Sequence, residues 1–185
     1  MERVEIGSDI HLRNYAVENA RCGPRAAAGG RTGRGMKRQT RGYMQAFETA
    51  AGAETLWRAL TEPAALRAWL ATEAVVEPRM GGRYATVSRL FGRREARIER
   101  FDPGTRLQLL YEPNSDWPAL PDSALVEDFI IDERKGQRMV RVIGEGLPAD
   151  EAYAKSLVRL RTGWALAFAQ LQLRLKDGTI GEAKS

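Results

Sequence analysis

Seven apolar residues near the C-terminus, Tyr153, Leu157, Leu160, Trp164, Phe168, Leu171 and Leu175, step along the chain by 4, 3, 4, 4, 3 and 4. That spacing puts them on one face of an α-helix. A second row, Val158, Leu166, Ala169 and Leu173, is expected to widen the buried stripe. Asp150 stands where it could cap the start of the helix, and Gly178 follows the last turn. Upstream, the period changes from 3.6 to two. Tyr43 to Thr49, Ala74 to Pro78, Tyr84 to Phe91, Glu95 to Phe101, Arg106 to Glu112, Leu125 to Asp132 and Arg138 to Ile143 read as strands. In the fourth, Ala96 and Ile98 share one face, and Glu95, Arg97 and Glu99 the other. Turn signals separate these runs: Gly81-Gly82, "DPGT" at Asp102 to Thr105, and "ERKGQ". Six or seven strands at such short spacing predict an antiparallel sheet.

Between the first two strands the pattern is helical but broken. Leu56, Trp57 and Leu60 lie on one face of Glu54 to Thr61, and Leu66, Trp69 and Leu70 follow in Ala64 to Leu70. Pro63 separates them, because the residue before a proline is pushed out of the α region. Each piece has only two turns, short of the ~12 to 15 residues an isolated helix needs. Their Trp and Leu faces must therefore be clamped onto something else.

Charge divides the 185-residue chain unevenly. From Met1 to Gly42 there are nine Lys or Arg against four acids, which is the whole net charge of +5. Tyr43 to Ser185 is formally neutral. Arg21 to Gly42 holds six glycines, seven basic residues and no acid, a composition unable to bury enough apolar area to offset its ordering entropy. Residues 1–41 are read as a disordered basic leader, with Ile10 to Ala20 at most a marginal helix and Met36 an alternative translation start. Residues 179–185 are read as a disordered tail. An arginine-glycine arm could hold phosphates, but without interleaved aromatics nucleic acid is an unlikely partner. No apolar run approaches the ~20 residues of a membrane span and no export signal opens the chain, so a cytoplasmic protein is expected.

The only cysteine, Cys22, and the only histidine, His11, lie in the leader. Nothing from Tyr43 onward can build a disulfide, a Cys/His zinc site, a Ser-His-Asp triad or a Cys-His dyad. Neither a cofactor nor a metal is expected.

Four stretches in order, "LWRALTEPAALRAWL" (Leu56 to Leu70), "RMGGRY" (Arg79 to Tyr84), "GEGLP" (Gly144 to Pro148) and "GWALAFAQLQLRL" (Gly163 to Leu175), resemble one family. It is the bacterial branch homologous to activators of the heat-shock protein 90 ATPase, within the START-like, birch-pollen-allergen-like superfamily. The similarity runs from about Gln39 to Asp177. It implies an α+β helix-grip fold over residues 42–178, a curved antiparallel sheet wrapped on the long C-terminal helix with two short helices after the first strand. It also implies an apolar cavity between sheet and helix, hence a hydrophobic small molecule as ligand. One departure stands out: many relatives carry a histidine near the end of the last strand, where this chain has Gly144 in "VIGEGLP".

Within that frame the residues expected to line the cavity are Trp57 and Trp69 at its mouth, Tyr84 and Phe129 from the sheet, and Trp164 and Phe168 from the helix. Trp117, in the polar loop "EPNSDWPALPDS", is a candidate lid. An enzymatic alternative of cyclase or hydrolase type rests on Glu127 and Asp128, next to the apolar "FII". Alternation turns one of them to the concave face, where it would need a partner such as Arg141 or Arg89. A third reading, a surface that modulates a chaperone ATPase, has no patch in the sequence to support it. A homodimer stays open.

Overall fold

The computed structural model describes residues 39–113 and 125–180. Trp117, the basic leader up to residue 38 and the last five residues of the expected tail lie outside them. Seven strands form one curved antiparallel sheet: β1 (Thr40–Thr49), β2 (Glu73–Val76), β3 (Arg83–Ser88), β4 (Gly92–Asp102), β5 (Arg106–Tyr111), β6 (Val126–Arg134) and β7 (Gln137–Pro148). Their order in the sheet is β1-β7-β6-β5-β4-β3-β2. The chain therefore enters beside its own last strand, and only β2 to β7 run as a meander. Helices α1 (Ala53–Thr61) and α2 (Pro63–Trp69) follow β1, and α3 (Ala154–Lys176) closes the chain after a short 3-10 turn, Glu151–Tyr153.

The break at Pro63 falls where the sequence reading puts it. Glu62 is extended (φ −91°, ψ 125°) and Pro63 occupies the first turn of α2, where a missing N–H costs nothing. Burial of Leu56, Ala59, Leu60 and Leu66 supplies the tertiary support these two-turn helices lack alone. The two tryptophans act differently. The indole of Trp69 is buried and donates to the Ala59 carbonyl at 2.9 Å, tying α2 to α1. Trp57 is half-buried and packs edge-on against Phe101 of β4, ring centroids 5.1 Å apart.

Along α3 the seven-residue stripe faces the sheet, with Leu160, Trp164, Phe168 and Leu171 fully buried. The second row does not join it. Val158, Leu166 and Leu173 are 62, 52 and 54% exposed. The sheet grips one side of the cylinder only, so an apolar row across the axis from Leu160 and Ala167 is left outside. Asp150 precedes the 3-10 turn and makes no side-chain cap. Gly178 takes φ 73° just past α3, and the chain folds back so that Ile180 is buried in the core.

Gly163 brings α3 close to the sheet. A Cβ there would meet Phe91 Cε1 at 2.5 Å, so glycine alone lets the Phe91 ring lie beside Trp164, 4.9 Å between centroids. The helical cost of glycine, about 1 kcal/mol, is offset by that contact.

Candidate functional site

Inward-facing residues of five neighbouring strands stand in a line across the concave face. Tyr43 of β1 is opposite Gly144 of β7, which is opposite Glu127 of β6, then Leu109 of β5 and Ile98 of β4. Two strand spacings, about 10 Å, separate Tyr43 from Glu127. A phenol crosses that gap only if the residue between them has no side chain. A Cβ on Gly144 would lie under 3.0 Å from the Tyr43 ring and its hydroxyl, so the ring passes directly over the glycine. The Tyr43 hydroxyl thereby donates to Glu127 Oε1.

One further donor and one cation converge on the same oxygen. Trp164 Nε1 of α3 donates at 2.7 Å, and Arg94 Nη2 of β4 forms an ion pair at 3.0 Å. The Arg94 guanidinium lies over the Tyr111 ring, 3.7 Å from its centroid, with Phe91 at 5.2 Å on another side. Glu127 is 0% exposed and Arg94 3%. Such a pair survives burial only because donors and π-faces replace the lost water. Glu127 Oε2, equally buried, makes no well-formed hydrogen bond among the described residues, and the Tyr111 phenol stands close enough to the carboxylate to interact with it.

The phenols around this pair are held neutral. Burial pushes Tyr43 well above the usual tyrosine range, and the negative charge of Glu127 adds to it against the opposing pull of Arg94. Burial raises Tyr84 and Tyr111 as well. For Arg94, burial works to remove the proton, but Glu127, Tyr111 and Tyr43 more than offset it and raise the guanidinium further. Because the phenols are raised in the folded state, their contribution to stability is complete below about pH 10, where an unfolded tyrosine titrates, and is lost as pH climbs beyond it. Three of the five tyrosines should therefore ionise only as the fold is lost, seen by following phenolate absorbance and far-ultraviolet circular dichroism together. Ionisation of all five near pH 10 with the secondary structure intact would contradict this packing.

Of the expected site residues, Trp164, Phe129 and Phe168 come together. Phe129 packs edge-on against Trp164 with centroids 5.2 Å apart, and Phe168 lies 5.8 Å from Trp164 and 5.0 Å from Phe47. Tyr84 is buried nearby, its hydroxyl donating to the Leu60 carbonyl at 3.0 Å and so bracing α1 on the sheet. Trp57 and Trp69 serve the helical pair, as described above. Glu127 is the acid that alternation turns inward. Asp128 points to the opposite face, where Arg106 Nε meets its two oxygens at 2.9 and 3.0 Å.

The expected partner of the inward acid needs correction. Arg141 pairs with Asp132 on the convex side, and Arg89 is an exposed turn residue. The role falls to Arg94, which shares the parity of Ala96 and Ile98 on β4. That parity was the available signal: an arginine two and four residues before inward apolar positions. Tyr43 and Tyr111 carry the same kind of mark, Tyr43 in step with Phe47, and Tyr111 with Leu107 and Leu109.

Among the described residues no group of three or more His, Cys, Asp or Glu could hold a metal ion, and no helix is long and apolar enough to cross a membrane. Among proteins of curated function, none matches the chain by sequence. Solved structures of similar fold are numerous. Protein MLL2253 from Mesorhizobium loti aligns with a TM-score of 0.64 at 20% identity, covering 74% of this chain and 98% of that one. An HSP90 activator from Plasmodium falciparum aligns at 0.60 and 15% identity, covering 73% and 96%. The Aha1 dimer from Colwellia psychrerythraea aligns at 0.59 and 17% identity, covering 77% and 98%. At these identities they speak for the fold. The sequence itself matches the family model described as "Activator of Hsp90 ATPase homolog 1-like protein" over residues 50–176. That span runs from the end of β1 to the end of α3 and carries Arg94, Tyr111, Glu127, Phe129, Trp164 and Phe168 of the buried cluster, so the chain belongs to the family of Activator of Hsp90 ATPase homolog 1-like proteins.

Proposed function

We propose that the protein binds a small, mainly apolar molecule between the sheet and α3, and that the molecule donates a hydrogen bond to Glu127 Oε2. The observation that carries this reading is a fully buried carboxylate oxygen without a well-formed hydrogen bond among the described residues, set amid Trp164, Phe129, Phe91 and Tyr111. A buried acceptor left empty costs roughly 1 to 3 kcal/mol, more for a charged group, and a ligand donor would recover that cost. Affinity would come from apolar area at about 25 cal/mol per Å², and orientation from the one hydrogen bond. Arg94 already balances Glu127, so a ligand without net charge fits the site and a carboxylic acid does not. The setting of this reading is cytoplasmic, in stress response or regulation, and the HSP90 activator of similar fold motivates it. A homodimer, motivated by the dimeric relative, is compatible with it.

A second reading, a cyclase- or hydrolase-like enzyme, has one specific observation in its favour: Glu127 faces inward beside the Tyr43 phenol. Arg94 and Trp164 hold the same oxygen, which suits a fixed anchor better than a base that must take up and release protons.

Native mass spectrometry of protein purified from its own cells tests the binding reading. A retained molecule of defined mass, bearing a hydroxyl or N–H, is expected, and its return to emptied protein should shift the Trp164 emission. Protein that carries nothing and whose emission is indifferent to its own cell extract would overturn the proposal. Tyr43→Phe keeps the ring over Gly144 and removes only the hydroxyl. It should leave the retained molecule unchanged under the first reading, and let unconverted substrate accumulate under the second.

A further inference from the structure

The outward face of α3 is a second apolar surface, independent of the interior. Val158, Thr162, Leu166, Ala169 and Leu173 step by 4, 4, 3 and 4 and fall within an arc of about 80° at 100° per residue. Val158, Leu166 and Leu173 are each more than half exposed. A shallow depression of about 540 Å³, lined by Ala154, Lys155, Val158, Arg159 and Thr162, opens at the first turns. The charge on the helix has one sign. Lys155, Arg159, Arg161, Arg174 and Lys176 are its ionisable residues, and it holds no acid from Ala154 to Lys176. The nearest acids along the chain, Glu151 and Asp177, stand beyond its two ends, and Asp177 is taken up by Arg174 at 3.1 Å.

We propose that this face docks an amphipathic helix of a partner protein, one whose apolar row is flanked by Asp and Glu. The 4-4-3-4 step averages close to the 3.6 residues of a helical turn, so the row runs nearly straight along the axis and a second helix can lie along it. Charge selects among occupants. A second copy of α3 would set its basic face, which holds no acid, against another of the same sign. Arg21 to Gly42 of the chain's own leader, with seven basic residues and no acid, is repelled in the same way. An anionic membrane meets the charge requirement but not the shape. The exposed row has no aromatic residue, and Thr162 and Ala169 interrupt it, whereas a helix lying in a lipid interface presents a continuous bulky face. An acidic helix meets both. Lys155 precedes the row by one turn, Lys176 follows its last residue and Arg161 lies to one side of its first half, placed to meet carboxylates at the ends and flank of a partner helix.

The test uses the full chain and a labelled synthetic peptide of about three repeats of Leu-Glu-Glu-Ala-Leu-Glu-Glu, with a Lys-for-Glu version as control, followed by fluorescence anisotropy. Binding of the acidic peptide alone, weakened by salt, is expected. The surface variant Leu166→Ser/Leu173→Ser should lose about tenfold or more in affinity, and Lys155→Glu/Arg161→Glu should abolish it, with melting curves unchanged. Equal binding of both peptides, or no loss in either variant, overturns the proposal. So does binding to phosphatidylserine vesicles that the two serines abolish while the peptide stays unbound, which would assign the face to a membrane. Self-association that the serines remove would assign it to a second copy.

Discussion

Glu127→Gln should cost the protein about 3 to 5 kcal/mol, measured by urea unfolding at neutral pH. The substitution preserves shape and removes charge. Arg94 would then stand 3% exposed, without the carboxylate now 3.0 Å away. Partial compensation by the Tyr111 and Phe91 faces is limited, since a cation over an aromatic ring contributes roughly 0.5 to 2 kcal/mol. The amide oxygen can take the place of Oε1 and still accept from Tyr43 and Trp164, so the loss is that of the charge facing Arg94. Replacing both partners is expected to be milder. Arg94→Met with Glu127→Leu keeps the volume apolar and removes both desolvation costs, so the double variant should be more stable than Glu127→Gln. An unfolding free energy for Glu127→Gln within about 1 kcal/mol of the parent would mean that the pair is not buried as described.

The second large effect belongs to Gly144→Ala, a single methyl group with an expected loss of about 3 to 5 kcal/mol. Overpacking a filled interior costs about 1 to 3 kcal/mol. Here the intruding Cβ lies against the Tyr43 ring itself, so the ring must lift and its bond to the Glu127 carboxylate goes with it, a further ~1.5 to 3 kcal/mol. The mechanism makes a sharper claim than the magnitude. In a Tyr43→Ala background the methyl group has room, and Gly144→Ala should cost less than about 1 kcal/mol. The double-mutant cycle then gives a coupling of at least ~2 kcal/mol. Additive effects would separate Tyr43 from Gly144. The same geometry bars a larger side chain such as histidine at 144, which cannot coexist with a phenol lying across it.

Local spacing carried most of the architecture. The 4-3-4-4-3-4 stripe identified α3 and its buried side, because 3.6-residue periodicity is a property of adjacent turns. Pro63 cut the helical pair at the right residue for a reason contained in one dipeptide. The strand segments were legible from alternation, and so was the expectation that one of Glu127 and Asp128 faces inward, though which of the two was left to the structure. Their ends were less so. β7 continues five residues past Ile143 to Pro148 because β1 pairs with it from Thr40 onward, a contact more than a hundred residues away in sequence.

Other features were decided by tertiary structure alone. A helix with apolar rows on two sides does not announce which one the sheet will take, and the choice left Val158, Leu166 and Leu173 outside. Arg94, Tyr43 and Trp164 converge on one oxygen from three separate elements, 33, 84 and 37 residues from Glu127. Their meeting depends on strand order, on register and on a glycine standing between Tyr43 and Glu127. Hydrophobic pattern determined which segments fold and which residues share a face, since periodicity follows from the bonds between neighbouring residues. Which charge meets which across the sheet was settled only when β1 came to lie beside β7, since pairing at long range is set by the whole chain's packing.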